Sequence, residues 1–186
     1  MRENTTENLV GEAANVLVAS LVAIADEGGS QERVTQAVVS VLRTALAEPS
    51  LGALFERREK SYGVWTDPQR HFLLHASVHR PGHVTEAHDH GECWAVYGVY
   101  RGPSRYVRYT RGPDTAPGTA SLTVVRDEVL QDGAVDVVQA GEVHRIINPA
   151  DHMTYNVVVR PRPLNEVWRR RYDFESGSYR IDPRSQ

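Results

Sequence analysis

From Tyr62 onward the chain is cut about every ten residues by Gly, Pro, Asp or Asn, and the pieces between are short and rich in Val, Tyr and Trp. These pieces are HFLLHASVH (71–79), CWAVYGVY (93–100), SRYVRYT (104–110), ASLTVVRDEVL (120–130), AVDVVQ (134–139), HRIIN (144–148), MTYNVVVR (153–160), EVWRRRYDF (166–174) and SYRID (178–182). Short β-branched and aromatic runs at this spacing are strands of an all-β sandwich or barrel, because each can bury only one or two faces before a turn redirects it. Arg101-Gly102-Pro103, Asp132-Gly133 and Glu175-Ser176-Gly177 are the clearest turns. Arg111 to Thr119 reads as the loosest loop.

Before Tyr62 the period is different. Val10, Ala14, Leu17, Leu21 and Ile24 recur at three and four, so residues 5 to 26 read as an amphipathic helix ended by Gly28-Gly29. Ser30 can cap a second helix that runs to about Ala47 with Val34, Val38, Val41, Leu42 and Ala45 on one face. Pro49-Ser50 breaks and restarts it as a short turn, SLGALFERR. The expected organisation is a helical segment over 1–60, two to three helices in all, packed on a β barrel over 61–186. The helices have apolar faces to bury and no chemistry.

A chain of 186 residues with net charge −3 and a pI near 6.2 gives no electrostatic case for nucleic acid or an anionic membrane. No apolar run is long enough to span a bilayer, and the start, MRENTTENLV, lacks the basic-then-apolar order of a signal peptide. The one cysteine, Cys93, cannot form an internal disulfide. The expectation is a soluble cytoplasmic protein, monomer or homodimer, with no nucleic-acid or membrane partner.

All eight histidines lie between His71 and His152. His88 and His90, two apart on an extended strand, point to one face. His144 follows in its own glycine-bounded context, GEVHRIIN. Neutral imidazole is the commonest metal ligand, so His88, His90 and His144 are the candidate metal ligands. Asn148, just before Pro149, reads as a turn-closing structural residue near the site. His75, Ser77 and His79 share one face of the preceding strand and form a candidate polar pocket wall, with His79 as a candidate acid–base group; alternatively this row faces solvent and Leu74, Ala76 and Val78 are core. Glu86 shares the parity of His88 and is the second candidate proton carrier. Trp94, Tyr97 and Tyr100 read as packing, His71, His83 and His152 as exposed loop residues, and Arg105, Arg108 and Arg111 as a solvated face.

Gly82, five residues, His88-x-His90 and a closing Gly102, followed by Gly141, His144 and Asn148, resemble the two cupin motifs. The glutamate that cupins usually add four or five residues after the second histidine is replaced by Trp94 and Ala95. Within the cupins the chain is similar to the three-histidine thiol dioxygenases, cysteine dioxygenase and mercaptopropionate dioxygenase. The likeness runs through two leading helices, Pro81-Gly82, His88-Asp89-His90, Arg101-Gly102, Gly141-Glu142-Val143-His144 and a closing hairpin, Tyr172-Asp173 to Gly177. The resemblance implies a mainly β fold, a double-stranded β-helix or cupin jelly-roll barrel, with non-haem Fe(II) at its mouth; Ni, Mn, Zn or Co are the other divalent metals such a site takes.

The chain departs from that family at its substrate residues. Thr154, Asn156 and Val158 stand where the family carries Ser, His and Tyr; Ala95 stands at its crosslinking cysteine, with Cys93 two residues away. The family's carboxylate-gripping arginine aligns near Ser61 or Tyr62, with Lys60, Arg57 and Arg58 as the nearest cations. Tyr62, Thr154 and Asn156 therefore join His75 and Ser77 as expected pocket residues, and the thiol-acid substrate does not carry over. The first functional reading is an Fe(II) dioxygenase acting with O₂ on a small metal-chelating substrate. A metal-dependent lyase, isomerase or hydrolase is the second reading, and a non-catalytic small-molecule-binding cupin the third.

Overall fold

The structure is a computed structural model that describes residues 11–67, 69 and 72–182. Helices α1 (Glu12–Glu27) and α2 (Gln31–Leu46) and a short 3-10 helix (Pro49–Phe55) precede the strands. The strands are β1 (Tyr62–Asp67), β2 (Phe72–His79), β3 (Ala87–His88), β4 (Ala95–Arg101), β5 (Ser104–Arg111), β6 (Leu122–Leu130), β7 (Val135–Val138), β8 (Val143–Ile147), β9 (Thr154–Arg160), β10 (Arg169–Tyr172) and β11 (Tyr179–Asp182). They form two antiparallel sheets, β1-β2-β9-β4-β7 and β11-β10-β3-β8-β5-β6, closed on one another as a double-stranded β-helix of the cupin type. The start expected for the first helix, residues 5 to 10, lies outside the described residues, as does His71. No single helix among the described residues is long and apolar enough to cross a membrane.

Ser30 caps α2 by accepting the Arg33 N–H at 3.3 Å, and Gly28, at φ +62°, closes α1 with its N–H on the Ile24 carbonyl. The apolar stripes of both helices pack with Phe72, Leu74, Ala76, Val78, Val96, Val157 and Val159 in one core. These strand residues are the outward face of the five-stranded sheet. Strand alternation therefore turns Leu73, His75, Ser77 and His79, together with Ala95, Tyr97, Val99, Asn156 and Val158, into the barrel. A second cluster, Ala95, Tyr97, Val99, Tyr106, Val138, Ile146 and Val158, fills that interior.

Two local features differ from the sequence reading. YGVWTD forms β1, an edge strand whose register slips between Gly63 and Trp65, and this bulge hides the alternation. The His88-Asp89-His90 segment is a strand only as far as His88.

Gly98 is where α2 meets the sheet. A Cβ there would stand 2.8 Å from Leu46 Cδ1 and 3.0 Å from Leu42 Cδ2. Gly98→Ala is expected to lower the unfolding free energy by about 1–3 kcal/mol through overpacking, as measured by urea denaturation. An unchanged midpoint would mean that the helices are not seated on β4 as described.

Candidate metal centre

The register of β3 and β8 sets His88 directly opposite His144, and β5 places Arg108 on the other side of His144. His90 is the second residue past the end of β3, and Asp89 between them holds it there. The buried Asp89 carboxylate accepts the Gly91 and Arg170 N–H groups, each at 3.0 Å, and the Tyr172 hydroxyl at 3.4 Å. Gly91 is required for the turn: it has φ +57°, and a Cβ would fall 2.1 Å from the Trp168 carbonyl oxygen. His-Asp-His-Gly thus brings two imidazoles to one side and a carboxylate to the other.

The three imidazoles converge through Nε2. His88 Nε2 lies 3.3 Å from both His90 Nε2 and His144 Nε2, and the donor atoms of all three lie within 4.8 Å of one another. His88 Nδ1 donates to the Glu86 carbonyl at 2.8 Å, which leaves its Nε2 lone pair free. Burial lowers the pKa of His88 to about 4, against the smaller opposing effect of that carbonyl. Burial, followed by the neighbouring imidazoles, drives His90 and His144 well below the ordinary range. Three nitrogens each about 2.0–2.2 Å from one ion, at tetrahedral to octahedral angles, stand about 2.8–3.6 Å apart. Both 3.3 Å edges fit that triangle, so neutral His88, His90 and His144 can hold one divalent metal.

Tyr97 completes the inner shell. Its hydroxyl lies 3.3 Å from His90 Nε2, and burial raises its pKa to about 12, so it keeps its proton. Trp94 and Tyr100 pack in the helix-side core and Tyr97 in the barrel interior, as packing residues should; what the sequence reading did not foresee is that the Tyr97 hydroxyl also reaches a histidine of the centre. Behind His144, Arg108 is buried and not part of a solvated face: its Nη2 donates to Asp136 at 2.5 Å and to the Val137 carbonyl at 2.6 Å, and it pairs with Glu142. Arg126 takes the other Asp136 oxygen at 3.0 Å.

The structure divides the remaining candidate residues. His75 lies on the inner row, opposite Val158, which in turn is opposite Tyr97. Ser77 is paired with Asn156, whose side-chain oxygen accepts Ser104 Oγ at 3.2 Å and the Tyr106 hydroxyl at 3.3 Å. Thr154 is fully buried opposite His79. His79 itself is four residues beyond His75, about 13 Å along an extended strand. It stacks on His83 at 5.0 Å, and Asn148 Nδ2 donates to its carbonyl at 2.9 Å. The expectation that His79 serves a metal-bound ligand is thereby corrected: it belongs to the far end of the row, at the turn that Asn148 closes through His152 and Ala150. Glu86 is corrected too. Its carboxylate faces outward to Arg171 at 2.8 Å and Arg180 at 2.8 Å. Tyr62 turns to the helix side, donating to the Leu54 carbonyl at 2.7 Å, and Arg57, Arg58 and Lys60 are exposed.

Sequence reasoning missed Arg160. It lies opposite Leu73 at the end of β9, on the face shared with Val158, His75 and Tyr97. It is 8% exposed, and its Nε has no hydrogen-bond partner. Its charge contributes to lowering His75 and His90. Parity with Asn156 and Val158 was the available signal.

No family description matches the sequence, and no curated protein matches it. Solved structures match the fold. BH2720 of Bacillus halodurans is 14% identical over 63% of this chain and 83% of that one, with a TM-score of 0.50. A cupin 2 conserved barrel domain protein from Salinispora arenicola is 19% identical over 54% of this chain and 72% of that one, with a TM-score of 0.40. An oxalate oxidase is 15% identical over 63% of this chain and 54% of that one, with a TM-score of 0.42. At these identities the likeness speaks for the barrel alone.

Two predictions follow from the packing around the centre. His75 and His79 have pKa values lowered to about 4 from an ordinary 6.5, burial being the main cause. The unfolded chain then binds protons at a higher pH than the folded one, so this stability is present above about 6.5 and is lost as pH falls towards about 4. Urea midpoints measured across that window should fall with pH, and His79→Gln should flatten the slope. Asp89→Ala should weaken metal binding by about 10–100-fold, the usual effect of removing a group that orients a ligand; unchanged affinity in a competition titration would remove Asp89 from the site.

Proposed function

We propose that this metal-dependent cupin is a mononuclear non-haem Fe(II) dioxygenase acting on a small substrate that chelates the metal. The observation that carries the reading is the convergence of three neutral imidazole Nε2 atoms, two of them from fully buried residues, with no carboxylate among them. Three neutral donors leave a divalent ion its full charge, which favours a chelating anion in the open positions. Bound Fe(II) supplies the one-electron chemistry that O₂ needs. The chain's own residues do the rest: Tyr97 offers an O–H beside His90, and Ala95, Val99, Val138, Ile146 and Val158 keep the interior apolar. The lyase, isomerase or hydrolase reading relied on Glu86 and His79 to move protons, and Glu86 pairs with Arg171 and Arg180 while His79 stacks on His83 at the far end of its row.

Anaerobic loading with Fe(II) should give one metal per chain, and O₂ uptake should then appear in a screen over thiols and diketones. His88→Ala is expected to lose the metal. Stoichiometric metal in that variant would sink the assignment of the site. A wild-type protein that binds a metal other than iron and consumes no O₂ with any chelator would overturn the dioxygenase.

A further inference from the structure

We propose that β6 is the docking edge for a second copy of this chain. Two β6 strands pair antiparallel about a two-fold axis at Asp127 and join the two six-stranded sheets into one. The proposal is independent of the metal reading.

A sheet edge leaves a row of backbone N–H and C=O groups without partners, so folded chains keep their edges short or covered. The two sheets end in four strands, β1, β7, β11 and β6. β1, β7 and β11 span six, four and four residues, and each is partly covered. β6 spans nine, and the seven from Thr123 to Val129 are all exposed. Three of those are large and apolar: Val124, Val125 and Val129 are 53%, 61% and 48% exposed. Among the described residues only β5 pairs with this strand. A long apolar edge of this kind is stable in water only when another strand covers it.

The sequence of the edge selects that strand. Pairing with β5 sets Arg126 opposite Arg108 and Glu128 opposite Tyr106, so Arg126 and Glu128 share one face. Asp127 and Val129, opposite Val107 and Arg105, share the other. A two-fold axis makes the contacts reciprocal. With the axis at Asp127, Arg126 of each copy meets Glu128 of the other, and Val125 of each meets Val129 of the other. Arg126 already pairs with Glu128 in its own strand at 2.5 Å, so the dimer closes a square of alternating charge. The two Asp127 carboxylates that then face each other are each neutralised by their own Arg105, at 2.7 and 2.6 Å. An axis at Arg126 or at Glu128 would set that residue against itself. The match is to the strand's own sequence, which points to a second copy and not to a foreign strand. The pairing with β5 skips Val125, a bulge that ends the regular ladder there. The shared ladder is therefore short, Val125 to Val129, and the expected affinity is micromolar.

Sedimentation velocity on full-length protein from micromolar to millimolar concentration tests this. Wild type is expected to pass from monomer to dimer and stop there, because two-fold pairing uses up both edges. Val125→Lys combined with Val129→Lys should raise the dissociation constant by about 100-fold or more, since like charges then face one another across the axis. Both valines are exposed, so the urea midpoint of the monomer should not move. Asp127→Cys should give a symmetric disulfide-linked dimer on oxidation, because this register sets residue 127 opposite itself at a bridgeable distance, while Cys93 is buried. A wild type that stays monomeric at millimolar concentration, that assembles beyond a dimer, or whose dimer survives in the lysine variant overturns the proposal. A dimeric Asp127→Cys protein that does not crosslink overturns the register.

Discussion

The centre depends on a strand of two residues. β3 is too short to hold itself in a sheet, yet it carries His88 and leads into His90. Its place is set from both sides: β8 pairs His144 with His88, and β10 pairs Arg171 with His88 and Tyr172 with Ala87. Asp89 then ties the chain past the strand end to the Arg170 backbone. The closing β10–β11 hairpin is therefore part of the candidate metal site, although it supplies none of the three histidines. Glu86, paired with Arg171 and Arg180, belongs to this clamp. Each such exposed pair is worth little alone, but several that share one carboxylate and one strand restrict the same degree of freedom.

Electrostatics then decides what the barrel can take in. The histidines are neutral because burial removes the hydration a proton would need, and neutrality is what fits them to hold a metal. The interior charge comes from arginine. Arg108 is compensated by Asp136 and Glu142 at the closed side of the site, behind His144. Arg160 is uncompensated on the side of His75 and Tyr97. A site built this way is polarised before any ligand arrives, with its fixed positive charge offset from the metal position.

The helices act only from outside. Their side chains cover the outward face of β2, β4 and β9, with Gly98 permitting the close approach of Leu42 and Leu46. Covering that face is what commits the alternate residues of the same strands to the barrel. The side on which His75, Tyr97 and Arg160 appear is thus a consequence of where α1 and α2 pack.

Periodicity and turn residues by themselves determined the β architecture, the helical prelude and the three histidines, because these are local properties: alternation, capping and motif spacing act within a few residues. β1 escaped because a bulge interrupts its alternation. Parity grouped His75 with Ser77 and His79, and Tyr97 with Ala95 and Val99, but parity is blind to which face is inside and to height along the barrel. Only the cross-strand register decided those. It set His75 level with Tyr97, carried His79 to the Asn148 turn, turned Glu86 and Tyr62 outward, and brought Arg108 and Arg160 inside. Register is a property of strand pairs distant in sequence, fixed by the burial of whole faces, and a single strand read alone does not contain it.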